Sequence, residues 1–230
     1  MARCIGMVAL DNSALIGAAP KAPLSRLNLG PLVGGIALAC LMLVTGAVLL
    51  RGFAENGFRL GSQLAWRYTS FVFFAALAAG PVCRILARHI SGFAFPENLS
   101  RKLVWGFCAS YAVYLLSVLL PNVIRLSAGA ILVTAFSGGV ALAMAVTAAP
   151  LRRLGGPALI GNKTRRVLLG TAAIYFWLCY ALMALARISG PHRPDAYYGI
   201  SLGLMVAALL LRYADYWLER RAARRAGAAA

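Results

Sequence analysis

Acidic residues are scarce in this chain: 6 of 230 are Asp or Glu, against 23 Lys or Arg. Charged residues make up only 13%, where a soluble domain carries about a quarter. With 61% hydrophobic residues and a mean hydropathy of +0.78, this shortage excludes a water-soluble globule. Histidine is nearly absent. His89 and His192 fall in loops expected on opposite faces of a membrane, so they cannot share one metal ion. The five cysteines have no Cys-x-x-Cys spacing and read as small apolar side chains. No apolar segment carries Asp, Glu, Lys or His at its centre, which leaves an ion-coupled carrier without a coupling group. No repeat of fixed period is present, so a solenoid is excluded.

What is there is long apolar sequence punctuated by arginine. The net charge of +17 would suggest nucleic acid in a soluble chain. Here the cations bracket apolar runs, the pattern of membrane topology and anionic-lipid contact, so no nucleic-acid partner is expected. About 20 apolar residues cross a bilayer. Six segments qualify, spanning about 31–50, 64–87, 103–120, 128–149, 167–186 and 196–217, within a domain of residues 30–218.

Pro31 suits a first helical turn, Arg67 and Arg84 snorkel at the two ends of the second span, and Pro121 with Asn122 is expected to stop the third. Gly138 and Gly139 offer close packing in the fourth, and Tyr197, Tyr198, Tyr213, Tyr216 and Trp217 form an aromatic belt around the sixth. Arg212 and Asp215 are spaced for a local ion pair.

The flanking charges orient these spans. Arg51, Arg59, Arg67, Arg125, Arg187 and Arg193 fall on one side and the other seventeen basic residues on the opposite side, which the positive-inside rule makes cytoplasmic. The fold expected is an all-α integral membrane protein: a six-transmembrane-helix bundle with both termini cytoplasmic, multi-pass in a bacterial inner membrane. Residues 1–29 lack the layout of a signal peptide and read as a cytoplasmic tail. Residues 219–230 form a basic C-terminal tail that continues the sixth helix onto the membrane surface.

Two motif-like stretches have plainer explanations. Ala37-Leu-Ala-Cys40 resembles a lipoprotein box, but apolar sequence continues for ten residues beyond it. Gly156 to Thr164 resembles a phosphate-binding loop with Asn162 inserted before Lys163, and no buried strand precedes it to present the loop. Lys163, Arg165 and Arg166 read instead as anchors at the headgroups.

Two further stretches resemble the ferric-reductase-like transmembrane domain family, which includes the haem-binding membrane subunit of the methionine sulfoxide reductase system. The first is Leu77-Ala-Ala-Gly-Pro81-Val82, followed by Arg101-Lys102 and Tyr111-Ala112. It is similar to that family's helix end at a proline, the basic pair opening its third helix, and the Tyr-Ala before a haem histidine. The second is Pro150-Leu-Arg152-Arg153-Leu154-Gly155-Gly156 with Lys163-Thr164-Arg165, similar to the family's Arg-rich loop and helix-five entry. The resemblance covers roughly residues 30–218. It implies b-type haem held by histidines on helices three and five. In this sequence the helix-three position falls on Leu115, and the helix-five positions on Thr164 and about Trp177. Tyr111, Tyr114, Trp177 and Tyr180, aromatic residues on those two helices, are the positions for any cofactor contact.

Three functional readings follow. The leading one is a scaffold or accessory subunit of a membrane redox system, without conventional haem ligation, whose removal should affect a partner's assembly or redox activity more than any chemistry of its own. Its partners are the bilayer, anionic lipids at the basic cytoplasmic loops, and a redox partner protein. The second is an active membrane oxidoreductase with unconventional haem or quinone binding. The third is a small transporter or lipid-interacting protein.

Overall fold

A computed structural model describes residues 30–53, 55–89, 99–124, 128–148, 162–189 and 196–227. The tail of residues 1–29, the Arg-Arg-Leu-Gly-Gly loop and His192 lie outside them, as do the side chains of His89, Lys163, Arg165 and Arg166. All of the regular structure described is helical: α1 (Gly30–Arg51), α2 (Glu55–His89), α3 (Leu99–Ile124), α4 (Ala128–Ala148), α5 (Asn162–Ile188) and α6 (Ala196–Gly227). Five of these are long and apolar enough to cross a membrane; α4 contributes a shorter apolar stretch, Ile131–Ala145. This is the architecture of a multi-pass integral membrane protein. Large apolar side chains line the outside, with Leu50, Leu132 and Leu210 exposed by 84%, 74% and 63%. Such a surface is stable against hydrocarbon and not against water.

Backbone contacts join α2 to α3, α3 to α4, α4 to α5, α5 to α6 and α6 back to α2, a closed ring of five helices. α1 lies outside this ring, against α2 and α3. Neighbours in sequence run antiparallel. Val44 of α1 meets Gly61 of α2 while Val48 meets Gly57. Trp66 of α2 meets Tyr114 of α3, Phe73 meets Phe107, and Ser100 Oγ donates to the Ala76 carbonyl. Cys108 of α3 reaches the Ala141 carbonyl, and Leu115 packs on Gly138. α2 and α6 run parallel, since Ser70 pairs with Tyr197 at one end and Arg84 with Asp215 at the other. With the helix directions alternating in this way, the start of α1 and the end of α6 lie at the same end of the bundle.

Small residues let α1 dock. Without a hydrophobic drive between helices in lipid, close backbone approach and van der Waals contact hold them together. Gly57 and Gly61, four residues apart on one face of α2, lie against Val48 and Val44 of α1. Gly57 lies against the Gly52 carbonyl, where any side chain would collide with backbone. Gly106 of α3 presents the same opening to Ile36, whose Cδ1 lies 2.5 Å from where a Cβ would sit. Gly106→Leu should therefore push α1 outward and destabilise the protein by about 1–3 kcal/mol. Gly203→Leu, on an α6 face with open space around it, should not. Thermal unfolding followed by circular dichroism in detergent compares the two. Of the two glycines expected to pack in α4, only Gly138 meets a neighbour, Leu115; Gly139 is open.

Both in-helix prolines are carried through. Pro121 does not stop α3, which runs on to Ile124, where the Asn122 amide donates to the Val118 carbonyl at 2.8 Å. Pro81 lies inside α2, which continues to His89.

Candidate functional site

The centre of the ring is filled by aromatic side chains from α2, α3 and α5. Their spacing puts them there: Phe107, Tyr111 and Tyr114 lie at i, i+4 and i+7 on one face of α3, and Phe176 and Tyr180 at i and i+4 on α5. Phe73, Phe107 and Phe176 are fully enclosed. The contacts close on themselves. Tyr180 lies 4.4 Å from Trp66, Trp66 5.3 Å from Tyr114, and Tyr114 5.3 Å from Tyr111, by ring centroids. Tyr111 then lies 4.9 Å from Phe176, Phe176 6.0 Å from Phe73, and Phe73 5.6 Å from Tyr180. Most pairs are tilted or edge-to-face, the arrangement aromatic quadrupoles favour.

The structure thus brings Tyr111, Tyr114 and Tyr180 into one cluster. Trp177 packs against the core beside it without joining this circuit. Trp66, Phe73 and Phe176 complete the circuit, Phe107 packs on Phe73, Tyr111 and Phe176, and none of the four is among the positions expected from the sequence. Their spacings, seven residues from Trp66 to Phe73 and four from Phe107 to Tyr111 and from Phe176 to Tyr180, are visible there, but which helices face each other is not.

The polar groups in this region are mostly consumed locally. Thr69, Ser70, Ser110 and Ser117 each donate to the carbonyl three residues back, and Tyr180 donates its hydroxyl to Thr69 Oγ1 at 3.2 Å. The thiols of Cys40 and Cys108 donate to the Ser110 and Ala141 carbonyls of neighbouring helices, each at 3.4 Å. These contacts satisfy groups that lipid could not. Trp177 Nε1 differs: it is sealed from the surface and has no partner among the described residues.

Haem, which the family resemblance implies, does not fit this packing. A flat macrocycle between two helices needs a gap of about 7 Å, twice the carbon contact distance of about 3.5 Å. α3 and α5 instead meet through Phe107–Phe176 and Tyr111–Phe176, at 5.0 and 4.9 Å between ring centroids. Leu115, which the resemblance would put at a haem-ligand position, offers no donor atom and packs on Gly138. Among the described residues no group of three or more His, Cys, Asp or Glu side chains is arranged to hold a metal ion.

A second polar feature joins α2 to α6. Asp215 is buried, with 3% exposure, and the local pair with Arg212 expected from their spacing does not form. Asp215 Oδ2 instead accepts from Arg84 Nε at 2.9 Å and from Arg84 Nη2. Arg212 Nε donates to the Leu77 carbonyl at 3.2 Å. The reason is Pro81. A proline has no N–H, so the carbonyl four residues earlier, that of Leu77, loses its helical donor. Arg212 supplies the replacement, and Asp215 is left to Arg84. At the opposite end of the same helix pair, Ser70 Oγ lies 2.6 Å from Tyr197 Oη and Arg67 lies over the Tyr197 ring at 4.8 Å. No known protein family, curated protein or solved structure matches the chain.

Proposed function

We propose that the chain is a six-span membrane scaffold, an accessory subunit of a membrane redox system that carries no haem of its own. The observation that carries this reading is the close-packed aromatic centre. The space between α3 and α5 that a cofactor would need is occupied by the chain's own rings. Such a core gives shape and rigidity, which is what a partner subunit requires of a scaffold.

Six crossings are supported by the alternation of helix directions and by the length of α4, whose 21 residues extend about 31 Å against about 30 Å of hydrocarbon. The charge asymmetry of the loops favours both termini in the cytoplasm and fits a bacterial inner membrane. At the cytoplasmic end Arg220 lies over Tyr216 at 4.6 Å and Arg221 over Trp217 at 3.4 Å, cation–aromatic pairs suited to the headgroup layer.

Removing the protein from its native membrane tests the reading. A scaffold's loss should lower the amount of an assembled partner complex, detected as a shifted band on native gels of solubilised membranes. Restoring a Tyr111→Phe, Tyr114→Phe, Tyr180→Phe variant should restore assembly, because no tyrosine hydroxyl is required for chemistry. A variant that assembles the complex but leaves it inactive would contradict the proposal.

One observation favours a second reading. The buried Trp177 Nε1–H, without a partner among the described residues, is suited to a quinone carbonyl. Stoichiometric quinone in an organic extract of the purified protein, lost in Trp177→Phe, would establish it.

A further inference from the structure

Among the described side chains, Arg84, Asp215 and Arg212 lie together where α2 meets α6. Arg84 and Asp215 neutralise each other through the contacts at Oδ2. Arg212 has five N–H donors, of which the Nε–H is spent on the Leu77 carbonyl. Its Nη groups bond to no described residue of the chain. They are not sealed in either, since among the described residues the sealed, unpartnered side-chain atoms are Trp177 Nε1 and Asp215 Oδ1. The guanidinium is therefore held at one nitrogen, and its other two have no partner among the described residues, on a helix whose outer face is apolar. A cation so placed must find an acceptor, and the bilayer offers one at the end of the span: the phosphate oxygens of a headgroup. A guanidinium edge matches two phosphate oxygens.

We propose that Arg212, oriented by the carbonyl that Pro81 releases, binds the phosphodiester of an anionic membrane lipid through its Nη groups. The site is a device of three helical positions. Pro81 withholds a donor, Leu77 offers the free carbonyl, and Arg212 is fixed through its Nε, which leaves its Nη groups for a ligand. Arg101 and Lys102, at the start of α3, lie at the same end of the bundle, because Ser100 bonds to the Ala76 carbonyl one residue before Leu77. They add to the field that draws an anion there. The inference rests on the membrane insertion proposed above and not on the scaffold role.

The full-length protein in maltoside detergent tests it, by following the melting temperature against added dioctanoyl phosphatidylglycerol, dioctanoyl phosphatidylcholine or inorganic phosphate. Phosphatidylglycerol should stabilise the protein at about tenfold lower concentration than phosphatidylcholine, and inorganic phosphate should have no effect at matched concentration. Arg212→Gln and Arg212→Lys should each raise the phosphatidylglycerol requirement about tenfold, while Arg220→Gln leaves it unchanged.

Should Arg212→Gln fail to fold, Pro81→Ala carries the comparison. The alanine supplies its own N–H to the Leu77 carbonyl, so Arg212→Gln in that background leaves no carbonyl stranded. A folded Arg212→Gln protein, alone or with Pro81→Ala, that keeps the wild-type phosphatidylglycerol response overturns the proposal. So does a wild-type protein with no such response. Equal stabilisation by inorganic phosphate overturns the lipid as the ligand. A haem band in the same sample would sink the scaffold reading and leave the lipid titration standing.

Discussion

Arg84→Leu, with Asp215 left in place, should destabilise the bundle by about 3 kcal/mol, towards the low end for a broken buried pair because the Arg84 side chain is 32% exposed. Asp215 would then hold a buried carboxylate with neither oxygen partnered among the described residues, since Oδ1 has no partner among them to begin with. Most of the loss comes from that stranded charge and not from the pair's own attraction. Arg84→Leu with Asp215→Leu should therefore recover most of the stability. Chemical unfolding in mixed micelles, followed by far-ultraviolet circular dichroism, measures both. A double variant as unstable as the single one would mean that the pair contributes attraction beyond mutual neutralisation.

Phe176→Ala should have the next largest effect. Phe176 is 1% exposed and touches Phe73, Phe107, Tyr111 and Tyr175. In lipid the helices gain nothing from leaving water when they associate, so the cost is the packing lost around the empty volume, about 2–3 kcal/mol. Leu132→Ala, on the lipid-facing side of α4, should cost close to nothing. A Phe176→Ala protein as stable as the wild type would show that the aromatic centre closes up around the gap, and that its packing is not what fixes the bundle.

Helix number and the apolar segments are legible in the sequence because each segment only has to satisfy a length and a composition. The position of α2's start is not. Glu55 to Gln63 is polar enough to read as loop, yet it continues the helix because Gly57 and Gly61 let α1 pack along it. Pro121 misleads for a related reason: a proline removes one hydrogen bond, and neighbouring groups can make up the loss within a packed bundle. Arg212 and Asp215 show the limit most clearly. Their spacing on α6 suggests a pair, but the preference between partners is set by a carbonyl on another helix that Pro81 leaves without a donor. Tyr111, Tyr114 and Tyr180 are legible as aromatic positions on two helices. Their enclosure with Trp66, Phe73, Phe107 and Phe176 depends on which helices face the centre of the ring, and apolar composition alone does not encode that.

The filled centre is the central claim, and the visible spectrum tests it most directly. The protein, purified in mild detergent with full helical circular dichroism, should show no Soret band when oxidised or dithionite-reduced, and quantitative extraction should yield no haem. A Soret band at one haem per chain that shifts on reduction would contradict the account, because the rings between α3 and α5 would have to part to admit it.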